Sequence, residues 1–178
     1  SDIVVEKNHM DWDTFFLRLA EEVSKKSKDP STKVGAIIVS PSNAVLAIGY
    51  NDFPRGVIST QDEWDTRKAY WDQDDHIVPD GFDRWGRPQK YSYVEHAERN
   101  ACYNAARHGI ALDGSRMYLN WFPNPCADCS RALIQSGIIE VIGTDRPFGG
   151  KGVGINYSLD FAAHMFDEAG VLTRVVKV

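Results

Sequence analysis

Residues 116–143 read RMYLNWFPNPCADCSRALIQSGIIEVIG, and this stretch predicts a strand, a helix and a second strand. The apolar runs from Arg116 to Trp121 and from Ile138 to Gly143 are typical of buried strands. The segment from Cys126 to Ser136 between them predicts a helix, and Gly137 is a typical helix stop. Alternation of this kind is characteristic of α/β proteins, in which helices cover a sheet.

The flanking segments extend the same alternation. Helical periodicity and candidate caps at Asp13 and Ser158 predict a first helix from Trp12 to Lys28 and a last helix to Glu168. Further strands are predicted at 34–39, 44–50 and 171–176, and a further helix at 96–108. Because a hairpin is followed by alternating helices and strands, we expect a three-layer α/β/α sandwich with a mixed five-stranded sheet.

One segment, at about 52–94, interrupts this alternation and is rich in Asp, Trp, Pro and Gly. Thr60 and Glu63 form a candidate capping box for a helix at 63–71. Three tryptophans, Trp64, Trp71 and Trp85, could pack the segment as a lid or against a partner subunit, and the acidic run at 72–76 could bind a cation. We expect one domain over residues 1–178 that contains this long insertion.

The composition is that of a globular chain with an acidic balance. Of the 178 residues, 43% are hydrophobic, and 20 Lys and Arg stand against 25 Asp and Glu. Proteins that bind long nucleic acids usually carry a basic face. The net charge of −5 therefore favours a small substrate.

The same composition predicts a cytoplasmic location. The chain has 3 cysteines, two of them in one motif, which is not a disulfide framework. No apolar run reaches the roughly 18 residues of a membrane span, and residues 1–6 lack the basic-then-apolar order of a secretory signal. We expect no membrane segment and no long nucleic-acid partner.

Two short motifs, HAE at 96–98 and PCADC at 125–129, together offer three zinc ligands and one carboxylate. Cys126 and Cys129 share one helix face, at a helix start where the macrodipole favours thiolates. His96 opens its own predicted helix. Zinc held by four protein ligands is usually structural, whereas zinc held by three keeps a position for water. The pattern predicts a catalytic zinc site between two helix starts.

Glu98 is the candidate proton carrier of this site. It lies two residues after His96, where its carboxylate can face the site without ligating the metal. Zinc lowers the pKa of bound water to roughly 7, and a nearby carboxylate can then shuttle protons as general base and general acid. The predicted substrate is an aromatic amidine whose exocyclic amine leaves as ammonia.

Other interpretations of these motifs stay open. A lone C-x-x-C could be a redox pair or half of a structural zinc finger. Cys102 or another histidine could close the metal site as a fourth ligand, although Cys102 lies in the middle of a predicted helix. A zinc-stabilised binding module without chemistry is a further alternative, against which the presence of Glu98 argues.

The order H-x-E followed by P-C-x-x-C resembles the signature of the zinc-dependent nucleobase deaminases. The segments DPSTKVGA at 29–36, GYN at 49–51, FP at 53–54 and HAERNA at 96–101 resemble the deoxycytidylate (dCMP) deaminase branch. The resemblance implies a sandwich of the cytidine deaminase type, Zn²⁺ as cofactor, and hydrolysis of dCMP to dUMP and ammonia, which supplies the dTMP precursor.

The resemblance also implies substrate contacts. Asn51 would hydrogen-bond the sugar, and Ala97 would contact the cytosine edge through its backbone. Pro54, Trp121 and Phe122 could form an apolar slot for the base. The glycine-rich loop at 146–154, with Lys151 or Arg146, could hold the phosphate, or it could be a flexible connection.

Partners follow from the same resemblance. It implies a nucleotide substrate and a homo-oligomer, from dimer to hexamer, and leaves open control by the allosteric ligands dCTP and dTTP. The length and glycine content of the 146–154 loop depart from the family pattern, which keeps alternative substrates open. These are a nucleoside, a free base, another aminopyrimidine or purine, and the adenosine of a tRNA.

Overall fold

The computed structural model describes residues 8–71, 82–147 and 153–178 of the chain. The elements in chain order are α1 (Trp12–Ser24), β1 (Gly35–Val39), β2 (Val45–Tyr50), α2 (Gln61–Trp71), α3 (Lys90–Tyr93), α4 (Ala97–Arg107), β3 (Arg116–Leu119), α5 (Ala127–Ser136), β4 (Glu140–Thr144), α6 (Val153–Ala169) and β5 (Leu172–Val176). The strands form one sheet in the order β2-β1-β3-β4-β5. The alternation predicted from the sequence is therefore confirmed, with boundaries that differ by a few residues.

The sheet is mixed, as predicted. The strand β1 pairs antiparallel with both β2 and β3. The pairs β3–β4 and β4–β5 are parallel, because α5 and α6 carry the chain back across the sheet between these strands. The carboxyl ends of β3, β4 and β5 thus lie at one edge, and the loop that follows β3 leads into α5.

Two apolar cores lie on opposite faces of the sheet and confirm the three-layer sandwich. On one face, Phe16 and Ala20 of α1 pack against the sheet in a cluster with Ile37. On the other face, Ala101 of α4 and Leu133 of α5 are fully buried in a second cluster. The sheet contributes apolar side chains to this cluster, among them Ile38, Met117, Leu119 and Val141. Strand side chains alternate between faces, so β1 contributes to both cores.

The N-cap of α1 is Asp11, and the expectation that Asp13 fills this position is wrong. Asp11 accepts a hydrogen bond of 2.9 Å from the backbone of Thr14, as capping requires. Asp13 instead pairs with Arg174 of β5 and accepts a 2.7 Å hydrogen bond from the Tyr118 hydroxyl. It therefore ties α1 to the sheet.

The last helix also begins earlier than predicted, at Val153. Ser158 lies inside α6 and does not cap it. Its hydroxyl accepts a 2.9 Å hydrogen bond from the backbone N–H of Ala127, the first residue of α5. Ser158 thus satisfies one of the free amides at the start of the neighbouring helix.

The segment at 52–94 has a small aromatic core of its own. Phe53 stacks on Trp85 with ring centroids 4.1 Å apart, and Trp64 is 2% exposed. The Arg84 guanidinium lies 4.5 Å from the Tyr93 ring centroid and 5.3 Å from that of Trp64. Trp64 and Trp85, two of the three tryptophans of this segment, therefore pack within the segment itself.

The predicted capping box of α2 is present in a modified form. Thr60 accepts a hydrogen bond from the backbone of Glu63. Glu63 accepts one from the backbone of Ser59, one residue earlier than the usual partner. The candidate cation site at 72–76 and the side chain of Trp71 lie outside the described residues.

Gly49 is the point of closest approach between β2 and α4. A Cβ at this position would lie 2.3 Å from the backbone nitrogen of Ala101 and 2.4 Å from the carbonyl oxygen of Ala97. Backbone atoms cannot rotate away, so any side chain here would push α4 off the sheet. Within the described ranges, no helix is both long and apolar enough to cross a membrane.

Gly49→Ala is therefore expected to lower the free energy of unfolding by about 1–3 kcal/mol, the usual cost of overpacking. Urea denaturation measures this loss. Val45→Thr on the same strand is the matched control, since Val45 is 46% exposed and surface changes usually stay within about 0.5 kcal/mol. Equal midpoints for the two variants would contradict the close approach.

Candidate active site

The two motifs stand at the first turns of α4 and α5. His96 is the N-cap residue of α4, and Cys126 is the N-cap residue of α5. Asn100 donates a 2.8 Å hydrogen bond to the carbonyl of Tyr50, which holds the start of α4 against the end of β2. The predicted placement of both motifs at helix starts is confirmed.

These helix starts bring three ligand atoms together. The Nδ1 of His96 lies 3.4 Å from the Sγ of Cys126 and 3.4 Å from the Sγ of Cys129. The three atoms all lie within 4.8 Å of one another. Tetrahedral zinc, with bonds of about 2.3 Å to sulfur and 2.0–2.1 Å to nitrogen, places such atoms roughly 3.5 Å apart. The donor set therefore fits zinc.

The protonation of the two thiols also fits a divalent cation. Hydrogen bonds from Cys129 and His96 lower the pKa of Cys126 to about 4, so this sulfur is a thiolate at neutral pH. Donating its proton to Cys126 raises the pKa of Cys129. A zinc ion would replace this shared proton, since metal binding requires both sulfurs as thiolates.

Glu98 lies beside this cluster and is buried. Its residue surface is 4% exposed, and desolvation raises the pKa of its carboxyl group, opposed by the charge of His96 and by a hydrogen bond with Cys129. A carboxyl group with a raised pKa exchanges protons closer to neutral pH than an exposed glutamate does. These properties suit a proton carrier next to the metal ligands.

Cys102 does not join the cluster. Within the described ranges, the group of potential metal ligands here contains His96, Cys126 and Cys129 alone. Cys102 is buried in the α4 side of the core, where burial raises the pKa of its thiol. The arrangement therefore favours three protein ligands over the four of a structural finger.

Trp121 lies in the loop between β3 and α5. Its indole N–H donates a 2.8 Å hydrogen bond to the carbonyl of Lys33, and the Arg146 guanidinium lies 4.7 Å from the ring centroid. Phe122 is 40% exposed, and Pro54 is exposed in the loop after β2. Trp121 is thus fixed at its polar edge, whereas Phe122 and Pro54 retain accessible surface.

Asn51 is buried directly after β2, and its side chain has several protein partners. Its Oδ1 accepts a 2.8 Å hydrogen bond from the backbone of Val34. Its Nδ2 donates to the carbonyl of Thr32 and to Asp29. Asp29 in turn forms a 2.7 Å ion pair with Lys90 of α3, so Asn51 links the main sheet to the insertion.

The other predicted substrate contacts are placed as follows. Ala97 is the first residue of α4 and is fully buried. Arg146 is exposed and pairs with Glu21 of α1 at 3.5 Å. Lys151 lies outside the described residues.

The structure adds polar residues that the sequence analysis did not select. Arg99 pairs with Glu95, which precedes HAE, and with Asp128, which lies inside PCADC. Among the residues that the structure describes, the side-chain Oδ1 of Asn124, two residues before Cys126, is buried and has no hydrogen-bond partner. The signal for Arg99 was present in the sequence, since charges of opposite sign lie next to HAE and inside PCADC, but their pairing depends on how α4 meets α5.

Comparisons with known proteins place this geometry in a family. The family described as cytidine and deoxycytidylate deaminase zinc-binding region matches residues 10–144. A probable deoxycytidylate deaminase of Drosophila melanogaster is 37% identical over 136 residues, which are 76% of this chain and 60% of that relative. The deoxycytidylate deaminase of Mus musculus is 35% identical over 150 residues, 80% of this chain and 70% of that relative.

The chain thus spans 60–70% of the length of these two relatives. Among solved structures, the dCMP deaminase from the cyanophage S-TIM5 in complex with dCMP and dUMP has a TM-score of 0.63 and 25% identity, with 96% of this chain and 100% of that chain covered. The expected deaminase-type sandwich is confirmed by this similarity. With a family match across residues 10–144 and relatives above 30% identity, the chain belongs to the cytidine and deoxycytidylate deaminase family.

Proposed function

We propose that this protein is a zinc-dependent hydrolase that deaminates dCMP to dUMP and releases ammonia. The observation that carries the proposal is the meeting of His96, Cys126 and Cys129 beside the buried carboxyl group of Glu98. Three ligands and a separate proton carrier are the parts that hydrolytic deamination requires. A structural zinc site would need a fourth ligand and no such carboxylate.

The choice of dCMP rests on the comparisons. The relative from Drosophila melanogaster is a probable deoxycytidylate deaminase, and the relative from Mus musculus is a deoxycytidylate deaminase. The similar cyanophage enzyme was solved with dCMP and dUMP.

Glu98 moves the protons of the proposed reaction. Zinc, when bound, supplies a Lewis acid that acidifies the attacking water and stabilises negative charge on oxygen. Glu98 takes the first proton of the water and delivers it to N3 of the cytosine ring while the water oxygen bonds to C4. It then carries the second proton of that oxygen to the exocyclic amine, the C4–N bond breaks, and ammonia leaves. The burial of Glu98 prevents loss of these protons to solvent.

We assign the remaining substrate contacts from the resemblance together with their placement. The backbone of Ala97, next to His96, would contact the cytosine edge, and Asn51 would contact the sugar through the second lone pair of its Oδ1. Pro54, Trp121 and Phe122 would border the base. Arg146 or Lys151 would contact the phosphate. The resemblance also implies a homo-oligomeric assembly, with dCTP and dTTP as candidate allosteric ligands.

A substrate panel tests the proposal. We expect release of one ammonia per dCMP consumed, with a kcat/KM for dCMP at least about tenfold above those for deoxycytidine and cytosine, because one lost charged contact costs about 1.4 kcal/mol or more. Ammonia release and the loss of cytosine absorbance provide two independent measurements. A kcat/KM for deoxycytidine or cytosine equal to or above that for dCMP would reject dCMP as the preferred substrate. The assignment as a deaminase would stand.

A tRNA adenosine deaminase is a weaker alternative than a deaminase of a nucleoside, a free base or another aminopyrimidine or purine. The net charge of −5 argues against it, because tRNA binding at physiological salt requires basic surface. Including a tRNA anticodon stem-loop in the same panel tests this alternative.

A further inference from the structure

The guanidinium of Arg99 connects the two metal motifs through two carboxylates. Its Nε lies 2.5 Å from a carboxylate oxygen of Glu95, the residue before the N-cap of α4. Its second nitrogen lies 3.5 Å from Asp128, which stands between Cys126 and Cys129 in α5. One side chain thus contacts both ligand-bearing segments.

Glu95 extends this connection to the histidine ligand. The carboxylate oxygen that pairs with Arg99 also accepts a 3.1 Å hydrogen bond from the backbone N–H of His96. The backbone of Glu95 forms an isolated bridge with Asp52. The position of Arg99 is therefore coupled to the backbone immediately before the ligand His96.

The side chain of Arg99 is mostly buried and lies between two carboxylates. It is 17% exposed, with its Nε against Glu95 and a terminal nitrogen against Asp128. A planar guanidinium can contact two carboxylates at fixed angles, which the ammonium of a lysine cannot do. The geometry therefore fixes Arg99 between the two helix starts.

We propose that Arg99 is a positioning residue that holds the starts of α4 and α5 together and thereby orients the side chains that bind the metal. The inference rests on the proposed zinc site and extends it beyond the three ligands. Arg99 contacts neither substrate nor metal in this assignment. It acts through Glu95 and Asp128, and residues that orient metal ligands in this way typically change metal affinity about 10–100-fold when removed.

Arg131 provides a matched control within the same network. It also pairs with Asp128, but from three positions along α5 itself, and its side chain is 59% exposed. An exposed pair within one helix contributes little and does not connect α4 with α5. Arg131→Met also removes one guanidinium from Asp128, but the contact that Arg99 makes between the two helices remains.

The test measures zinc release from the purified, zinc-loaded protein to a chromogenic chelator. Arg99→Met is expected to speed release at least about tenfold, whereas Arg131→Met changes it less than about twofold. Arg99→Lys is expected to restore part of the loss, because it returns the charge without the fork. Release at the wild-type rate from Arg99→Met would overturn the proposal.

A Co²⁺-substituted sample separates positioning from general stability. Sulfur-to-cobalt charge-transfer bands report the geometry of the thiolates, and we expect them to shift in Arg99→Met and to stay unchanged in Arg131→Met. If Arg99→Met lowers only the unfolding midpoint and leaves the bands unchanged, the role is merely structural and the proposal is wrong. An Asp128→Asn background should reduce the effect of Arg99→Met, since the two residues share one interaction.

These measurements distinguish the two proposals. If the wild-type protein holds zinc but does not deaminate dCMP, the proposed function fails while the role of Arg99 can still be measured from metal release. If the wild-type protein deaminates dCMP and Arg99→Met releases zinc normally, the proposed function stands and the inference on Arg99 fails.

Discussion

Glu98→Gln is expected to lower kcat for dCMP by at least about 10³-fold while the protein keeps its zinc. General acid–base catalysis by one group typically contributes about 10²–10⁴-fold, and Glu98 is assigned both proton transfers. The glutamine amide has nearly the same shape but cannot accept and return a proton. Because Glu98 does not belong to the ligand cluster, its neutral replacement leaves the three donors in place.

Steady-state ammonia release and metal analysis on the same preparation test this prediction. Glu63→Gln is the matched control, because Glu63 is also a carboxylate in the first turn of a helix, α2, and lies outside the proposed site. Its kcat should stay within about twofold of wild type. Glu98→Gln that retains zinc and turns over dCMP normally would remove Glu98 from the mechanism, and loss of zinc in this variant would reassign it as a ligand.

The factor by which Glu98→Gln lowers the rate should be about the same at low and at saturating dCMP concentrations. If Glu98 acts in the transition state, kcat and kcat/KM fall by similar factors. A variant that raises KM and preserves kcat would place Glu98 in substrate binding. The ratio of the two parameters therefore tests the role of the residue as well as its importance.

The metal site could be predicted from the sequence because the spacing of the residues within each motif is local. A C-x-x-C at a helix start places both sulfurs on one face, and HAE places Glu98 within two residues of the histidine. The meeting of the two motifs required in addition that α4 and α5 pack on the same face of the sheet, which the spacing within each motif does not specify. The sandwich and its mixed sheet followed from the alternation of strands and helices along the chain.

The remaining features depend on contacts between distant residues. The N-cap of α1 is Asp11 and not the predicted Asp13, whose carboxylate pairs with Arg174 of β5. Ser158 resembles a cap for its own helix but serves α5 through Ala127. Such pairings arise only when the elements pack, so periodicity and local spacing could not reveal them.

Cys129→Ser is expected to abolish deamination and zinc binding together. Cys129 is fully buried, and its sulfur lies 3.4 Å from Nδ1 of His96. A serine hydroxyl is a poor ligand for zinc, since it does not ionise at neutral pH and its oxygen lies closer to the backbone than sulfur does. Two remaining ligands are too few to hold the ion, so activity should fall below detection.

The same loss should remove the stabilisation that zinc gives to the folded state. A metal present at about 1,000 times its dissociation constant stabilises the folded state by about 4 kcal/mol. Chelation should therefore lower the unfolding temperature of the wild-type protein and leave that of Cys129→Ser nearly unchanged. Differential scanning calorimetry with and without a chelator measures both effects on the same protein.

Cys102→Ala is the control that decides between a catalytic and a structural zinc site. Cys102 is a buried cysteine of α4 that lies in the core and outside the ligand cluster. Its replacement should cost some stability as a core truncation, but the protein should retain one zinc, the response to chelator and the activity on dCMP. A structural finger completed by Cys102 predicts the opposite, because removing a fourth ligand would release the metal. Loss of zinc from Cys102→Ala would thus reject the three-ligand site. If Cys102→Ala retains zinc and Cys129→Ser loses it, the result supports the open coordination position on which the proposed hydrolysis depends.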